Sequence, residues 1–174
     1  MLAIMRNCRS AKGFTLIELL ITLALLGILA FMAIPSVQLM IANQAVSNVS
    51  SDLMTDLLQA RSIAMSRNKP VVVSSVDSDW TKGWTIYIDG DRDGTFTSGT
   101  DTLVITHAAV DANLSIDSGT VTQIVYEPSG FLSLVSNASL AITSTQTSRR
   151  RTVIVSKPGR PRICDPAAQS CAGS

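Results

Sequence analysis

A stretch without any charged side chain, residues 19–51, constrains this chain more than any other feature of its sequence. The segment FTLIELLITLALLGILAFMAIP, residues 14–35, is almost entirely apolar. A helix rises 1.5 Å per residue, so this segment is long enough to cross most of a hydrocarbon core of about 30 Å. The sequence therefore predicts an N-terminal membrane helix, and the 174 residues leave room for one modest domain after it.

A short basic leader, residues 1–13, precedes this helix. It contains Arg6, Arg9 and Lys12 and no acidic residue. In an ordinary secretory signal the small residue of the cleavage site follows the apolar core, whereas here Gly13 precedes it. Cleavage after Gly13 would remove the leader and keep the helix. Because basic flanks stay in the cytoplasm, we expect the C-terminal domain on the far side of the membrane.

Glu18 is the one charged residue in the apolar segment. A carboxylate within a membrane costs about 2.5–3.5 kcal/mol even on lenient insertion scales, so this residue needs a partner or a functional reason. The alternative is a carboxylate that reaches the membrane surface. Glu18 is therefore a candidate functional residue.

The segment KGFTLIELL, residues 12–20, resembles the prepilin processing motif of type IV pilins and type II secretion pseudopilins. The resemblance implies that a prepilin peptidase cuts after Gly13 and that Phe14 becomes N-methylated. It also implies that Glu18 pairs with the N-terminal amine of a neighbouring pilin subunit during filament assembly. Such a pair relieves the cost of burying each charge and fixes the register between subunits.

A helical pattern continues over residues 36–68. Apolar residues recur there at three- and four-residue spacing, which indicates an amphipathic helix that packs on the C-terminal domain. The residues of this apolar face are Val46, Val49, Leu53, Leu57, Ala60 and Ala64. Asn68 and Pro70 end the pattern. Pro35 is the position at which such a helix would kink.

Short β-rich runs follow Pro70 and are separated by turn-forming residues. They are VVVSSV (71–76), GWTIYID (83–89), DTLVITHA (101–108), VTQIVY (121–126), FLSLV (131–135) and RTVIVS (151–156). A helix followed by many short strands predicts an α+β fold with antiparallel sheet in a head formed by residues 69–163. GWTIYIDGDRDGTF and IVYEPSGFLS resemble the minor-pilin group that includes GspH and FimT. This resemblance implies a type IV pilin-like fold in which a long helix supports two small antiparallel sheets.

The positive charge of the head is concentrated in residues 149–162, here called the basic segment. Its six cations are Arg149, Arg150, Arg151, Lys157, Arg160 and Arg162, and it contains no acid, whereas residues 50–148 contain eleven acids and five bases. Arginine donates two hydrogen bonds at once to phosphate oxygens. The segment is thus a candidate phosphate-binding surface, with Lys157, Arg160 and Arg162 expected in a loop held by Pro158 and Pro161. The alternative is a solvated face without a ligand.

GRPR, residues 159–162, is similar to the GRxR element near the C-terminus of FimT-like pilins, the group that this chain most resembles. The resemblance implies binding of double-stranded DNA for uptake in natural transformation, with contacts from Arg160 and Arg162 and a bend at Gly159. We expect phosphate contacts without sequence preference. The resemblance also implies that the chain first lies in the inner membrane with its head in the periplasm, and then becomes part of a pilus. The alternative is a structural minor pilin or pseudopilin that primes assembly without DNA.

Removal of the leader, which contains Cys8, leaves Cys164 and Cys171. An even number of cysteines in an exported domain predicts a disulfide, which would close a short tail at residues 164–174. Two free thiols are the alternative. Asp89, Asp91 and Asp93 resemble the start of a calcium loop, but the glutamate that such a loop needs at its twelfth position is missing, so a turn is favoured. No catalytic motif is present, and we expect no metal, cofactor or enzymatic activity.

Overall fold

The computed structural model describes residues 14–133 and 137–166 of the chain. The chain divides into two compact units, Met1–Gln38 and Leu39–Ser174. Helix α1 (Leu16–Arg67) has 52 residues and contributes to both units. Within the first unit its large apolar side chains, from Leu16 to Phe31, are exposed. By length and composition this helix is able to cross a membrane.

Within the second unit, α1 contributes one buried face. The side chains predicted for this face, Val46, Val49, Leu53, Leu57, Ala60 and Ala64, all belong to the hydrophobic core. The amphipathic pattern is therefore confirmed. The helix ends at Arg67, and Asn68 follows with a φ of 53°, a left-handed conformation that commonly ends helices.

Eight strands are present in the described part of the head. They are β1 (Val71–Val76), β2 (Asp79–Ile88), β3 (Thr102–His107), β4 (Leu114–Asp117), β5 (Gln123–Tyr126), β6 (Ala138–Ser144), β7 (Arg150–Val155) and β8 (Pro161–Cys164). They form two four-stranded sheets, in the orders β3-β2-β1-β5 and β4-β6-β7-β8. Every neighbouring pair is antiparallel. The predicted α+β fold, with a long helix and two small antiparallel sheets, is confirmed.

The two sheets and the second half of α1 share one core. Trp80 and Trp84 of β2 are fully buried in it. Trp84 also donates a hydrogen bond from Nε1 to Asp56 Oδ2 of α1 (2.8 Å), which ties the first sheet to the helix. In the second sheet, Val153 of β7 pairs with Leu140 on one side and Ile163 on the other, and all three contact the core.

The prediction of a strand at residues 131–135 is wrong for residues 131–133, which the structure describes. Leu132 forms only an isolated bridge with Tyr126, and residues 134–136 lie outside the described residues. Two backbone hydrogen bonds flank this bridge, from the Glu127 amide to the Phe131 carbonyl (2.9 Å) and from the Ser133 amide to the Val125 carbonyl (3.0 Å), and in the described residues the pairing with β5 extends no further. The other five runs overlap β1, β2, β3, β5 and β7; β1 has the predicted bounds, and the ends of the other four differ from the prediction by at most four residues. Strands β4, β6 and β8 were not predicted.

Candidate functional site

The basic segment folds as a β-hairpin. Strands β7 and β8 are joined by a turn, Ser156–Arg160, here called the basic turn, in which the Gly159 amide donates to the Ser156 carbonyl (2.7 Å). The predicted loop over residues 157–162 is therefore corrected, because Pro161 and Arg162 lie in β8. Pro161 fits there since it is the first residue of an edge strand, where no ladder hydrogen bond is lost.

The hairpin separates the six cations into groups at its two ends. Lys157 and Arg160 lie in the basic turn with exposed side chains. Arg149, Arg150 and Arg151 lie at the opposite end of β7. At about 3.3 Å per residue, the length of β7 separates the two groups by roughly 17 Å. The cations therefore do not form a single cluster.

At the far end of the hairpin, Arg149 is already neutralised. Its Nη2 lies 2.9 Å from Asp165 Oδ2, and both side chains are more than two-thirds buried. Asp165 lies only three residues beyond the basic segment, so a count of charges within the segment missed it. Arg151 is half-buried, and its Nε has no hydrogen-bond partner among the described residues. Of this group, Arg150 is the exposed cation.

Arg162 lies on the face of the second sheet that is directed away from the core. Its partner across the hairpin is Ile154, which alternates with the core residues Val153 and Val155. Arg150 precedes Ile154 by four residues and so lies on the same face. Arg162 is half-buried and lies next to the basic turn. Lys157, Arg160 and Arg162 are thus the cations that the fold brings together.

The basic turn also contacts α1, through a residue that the sequence did not identify as functional. Arg61 donates from Nε to the Gly130 carbonyl and from Nη2 to the Pro158 carbonyl, each at 3.0 Å. These partners lie 69 and 97 residues away in sequence. No local motif could have indicated them.

The predicted aspartate turn connects β2 and β3, in the other sheet. Asp89 is buried and accepts hydrogen bonds from the amides of Arg92 (2.6 Å) and Gly94 (3.0 Å). The carboxylate oxygens of Asp89, Asp91 and Asp101 lie within 4.8 Å of one another. Asp101 also accepts two backbone amide hydrogen bonds. The carboxylates thus hold the loop through Asx-type hydrogen bonds to its backbone amides.

This acidic loop packs over Tyr87. The phenol donates to the Gly94 carbonyl (2.9 Å), and Phe96 packs edge-on against its ring with centroids 5.4 Å apart. Burial, reinforced by the nearby aspartates 89, 101 and 93, raises the pKa of Tyr87 to about 12. The aspartates of this loop thus have a structural role in the first sheet, and they lie away from the hairpin of the second sheet.

The remaining predicted site residues lie at the two ends of the chain. Gly13 and Cys171 lie outside the described residues. Phe14 is 80% exposed, and Glu18 lies in the first turn of α1, where its amide donates to Thr15 Oγ1 (3.3 Å). Cys164 is buried and disulfide-bonded. Cleavage, methylation, the Glu18 pairing and the choice of Cys171 as the disulfide partner stay predictions.

Comparisons with known proteins agree with this architecture. A family model described as "Type II transport protein GspH" matches residues 50–159, and a model of the prokaryotic N-terminal methylation motif matches residues 8–34. The chain is similar to the type IV minor pilin FimU of Pseudomonas aeruginosa, with 24% identity, a TM-score of 0.58, and coverage of 72% of this chain and 94% of that one. It is also similar to the minor pseudopilin EpsH of Vibrio cholerae, with 16% identity, a TM-score of 0.52, and coverage of 70% and 97%. At these identities the likeness shows the fold.

Curated relatives match shorter stretches of the chain at higher identity. The type IV major fimbrial protein FimA of Dichelobacter nodosus is 58% identical over 41 residues, which cover 24% of this chain and 26% of that protein. A fimbrial protein of Pseudomonas aeruginosa is 39% identical over 71 residues, which cover 41% of this chain and 46% of that protein. The chain therefore spans less than half the length of these relatives.

The GspH match covers well over half of the 174 residues, and the methylation-motif match includes the predicted cleavage site. The proteins matched are structural pilins and pseudopilins rather than enzymes. The chain belongs to the GspH family, contains a prokaryotic N-terminal methylation motif, and has the fold of minor pilins and pseudopilins.

Proposed function

We propose that this chain is a minor type IV pilin that binds double-stranded DNA, without sequence preference, for uptake in natural transformation. The observation that carries the proposal is the position of Lys157 and Arg160. Both are exposed at the tip of the hairpin, and neither forms an ion pair with a described residue. Arg162 lies beside them on the outer face of the sheet.

Three neighbouring cations at one end of the hairpin suit a phosphate backbone. The guanidinium groups of Arg160 and Arg162 each donate two parallel hydrogen bonds, and the Lys157 ammonium adds a point charge. Pro158 and Pro161 fix φ within the hairpin, so little conformational entropy is lost when the turn contacts a ligand. We expect three phosphate contacts, with Arg150 able to reach DNA only when the duplex extends along the hairpin.

The proposal includes processing and location. A prepilin peptidase cuts after Gly13 and Phe14 is methylated, and Glu18 then pairs with the terminal amine of a neighbouring subunit. The head lies in the periplasm while the helix is held in the inner membrane, and it reaches the cell surface when the pilus assembles. The exposed apolar half of α1 and the methylation-motif match support this sequence of events.

A second function is a structural minor pilin or type II secretion pseudopilin without DNA binding. The family match to a type II transport protein and the fold of EpsH favour it. In that case the basic turn is a solvated surface without a ligand. The Arg149–Asp165 ion pair shows that one cation of the basic segment already pairs with a carboxylate of the same chain.

DNA binding by a double variant separates the two functions. Arg160→Gln with Arg162→Gln, in the full processed chain in detergent, removes two of three expected phosphate contacts. Counterion release at about 0.15 M salt predicts a loss of roughly 30-fold in affinity for a 30-base-pair duplex in a mobility-shift assay.

The matched control replaces Lys82 and Arg92 by glutamine, which removes the same charge from the first sheet and its acidic loop. Lys82 pairs there with Asp77 (3.0 Å), and this control is expected to bind as wild type. Equal affinity of the Arg160→Gln, Arg162→Gln double variant and the wild type would overturn the DNA-binding function and favour the structural one.

A further inference from the structure

The basic turn is fixed by contacts from several parts of the head. The Lys157 carbonyl accepts a hydrogen bond from the Leu132 amide (3.0 Å), and the Lys157 amide donates to Asn137 Oδ1 (2.9 Å). Arg61 binds the next carbonyl, that of Pro158. The backbone that presents Lys157 is therefore held from outside the hairpin as well as by its own turn.

Arg61 joins this turn to a second one. Its Nε binds the carbonyl of Gly130, in the turn that follows β5, while its Nη2 binds Pro158. The helix positions Arg61 for this role, because its neighbours Ala60 and Ala64 are fully buried against the sheets. Arg61 forms no ion pair with a described residue, so its donors serve carbonyls rather than a carboxylate.

Two glycines make the contact between these turns possible. Gly130 and Gly159 both have a φ of +78°, in the left-handed region. A Cβ on Gly159 would overlap the Gly130 carbonyl oxygen and lie 3.2 Å from Arg61 Nε. The two turns touch backbone to backbone, and Arg61 spans the contact. Gly159 is thus needed for packing in addition to the predicted bend.

We propose that Arg61 is a positioning residue for the DNA-binding surface: its guanidinium clamps the turns at Gly130 and Pro158 together and so holds Lys157 and Arg160 in place. This inference rests on the proposed function. A turn that is already ordered loses less freedom when it contacts phosphates, so the clamp strengthens binding without touching DNA. Two separate nitrogens of the planar guanidinium donate to the two carbonyls, whereas a lysine ammonium donates from a single nitrogen at the end of a flexible chain, so we expect lysine to hold the two turns less well.

The test compares Arg61→Lys, Arg61→Gln and the control Arg67→Gln in the full processed chain in detergent. Arg67 is exposed at the end of the same helix, so its replacement removes the same charge without disturbing the clamp. We expect Arg61→Lys and Arg61→Gln to bind a 30-base-pair duplex about 3- to 10-fold more weakly. Because the phosphate contacts are unchanged in number, the salt dependence of Arg61→Lys is expected to match the wild type. Arg67→Gln is expected to bind as wild type.

A second measurement does not depend on DNA. Amide hydrogen exchange of Leu132 and Gly159 is expected to accelerate in both Arg61 variants and to stay unchanged in Arg67→Gln. Unchanged exchange in Arg61→Gln would overturn the clamp. Wild-type affinity in Arg61→Lys, with a weaker and less salt-dependent Arg61→Gln, would show that Arg61 acts by charge alone and would also overturn it. Absence of DNA binding by the wild type would overturn the proposed function, while the exchange data would still decide whether Arg61 orders the turn.

Discussion

Replacing Gly159 by alanine is expected to lower the free energy of unfolding of the head by about 2–5 kcal/mol. A residue with a side chain loses roughly 1–2 kcal/mol in the left-handed region, where Gly159 has a φ of +78°. The new methyl group would also overlap the Gly130 carbonyl oxygen, a backbone atom that cannot rotate away. Overpacking of this kind costs about 1–3 kcal/mol. The two costs add because they arise from different atoms.

Two other glycines provide matched controls. Gly119 has a φ of +60° with no atom within 4 Å of an added Cβ, so Gly119→Ala measures the backbone cost alone. At Gly130 the nearest atom to the added Cβ is Met65 Sδ at 2.8 Å, in a flexible side chain, so Gly130→Ala is expected to give an intermediate loss. Denaturant unfolding followed by tryptophan fluorescence measures all three. If Gly159→Ala loses no more stability than Gly119→Ala, the close contact between the two turns is refuted.

Three further predictions concern processing, cross-linking and pH. Intact-mass analysis of protein extracted from membranes is expected to show cleavage between Gly13 and Phe14 and one added methyl group; a mature chain that keeps its leader contradicts this. Exported protein is expected to contain a Cys164–Cys171 disulfide, which adds up to about 3 kcal/mol in chain-entropy models, and two alkylatable thiols before reduction would refute it. Because folding raises the pKa of Tyr87 from 10.0 to about 12, stability is expected to hold below pH 10 and to fall as the pH rises towards 12. The stability of the Tyr87→Phe variant should fall less than that of the wild type over this pH range. A variant whose stability has the same pH dependence as the wild type would contradict the prediction.

Periodicity was sufficient where one element makes a continuous pattern. The buried face of α1 repeats every three or four residues over five turns, so local sequence defines it. Strands β1, β2 and β7 could be predicted because they are rich in valine, isoleucine and aromatic residues, which favour strands.

The strands that were missed depend on their neighbours. Strand β6 reads ASLAITS, and β8 reads PRIC, so neither is rich in residues that favour strands. Each extends next to β7, which supplies its hydrogen-bond partners. Pairing with a segment that is distant in sequence therefore determines that β6 and β8 form strands. A pattern within a few neighbouring residues cannot predict such pairing.

The candidate site was predicted in composition and not in arrangement. The six cations of the basic segment can be read from the sequence, but their separation by the hairpin and the neutralisation of Arg149 by Asp165 follow from the fold. Arg61 is a clearer case, since the two carbonyls that it binds lie in different turns far away in sequence.

The salt dependence of DNA binding tests the central claim most directly. Each phosphate contact made by lysine or arginine contributes about −0.9 to the slope of log affinity against log salt on duplex DNA. Three contacts, from Lys157, Arg160 and Arg162, predict a slope of about −2.7 and a Kd in the non-specific range of ~10⁻⁴–10⁻⁶ M for a monomer. With both arginines replaced by glutamine, the slope is expected to fall to about −0.9. A wild-type slope near zero, or a slope that the double variant leaves unchanged, would contradict the account.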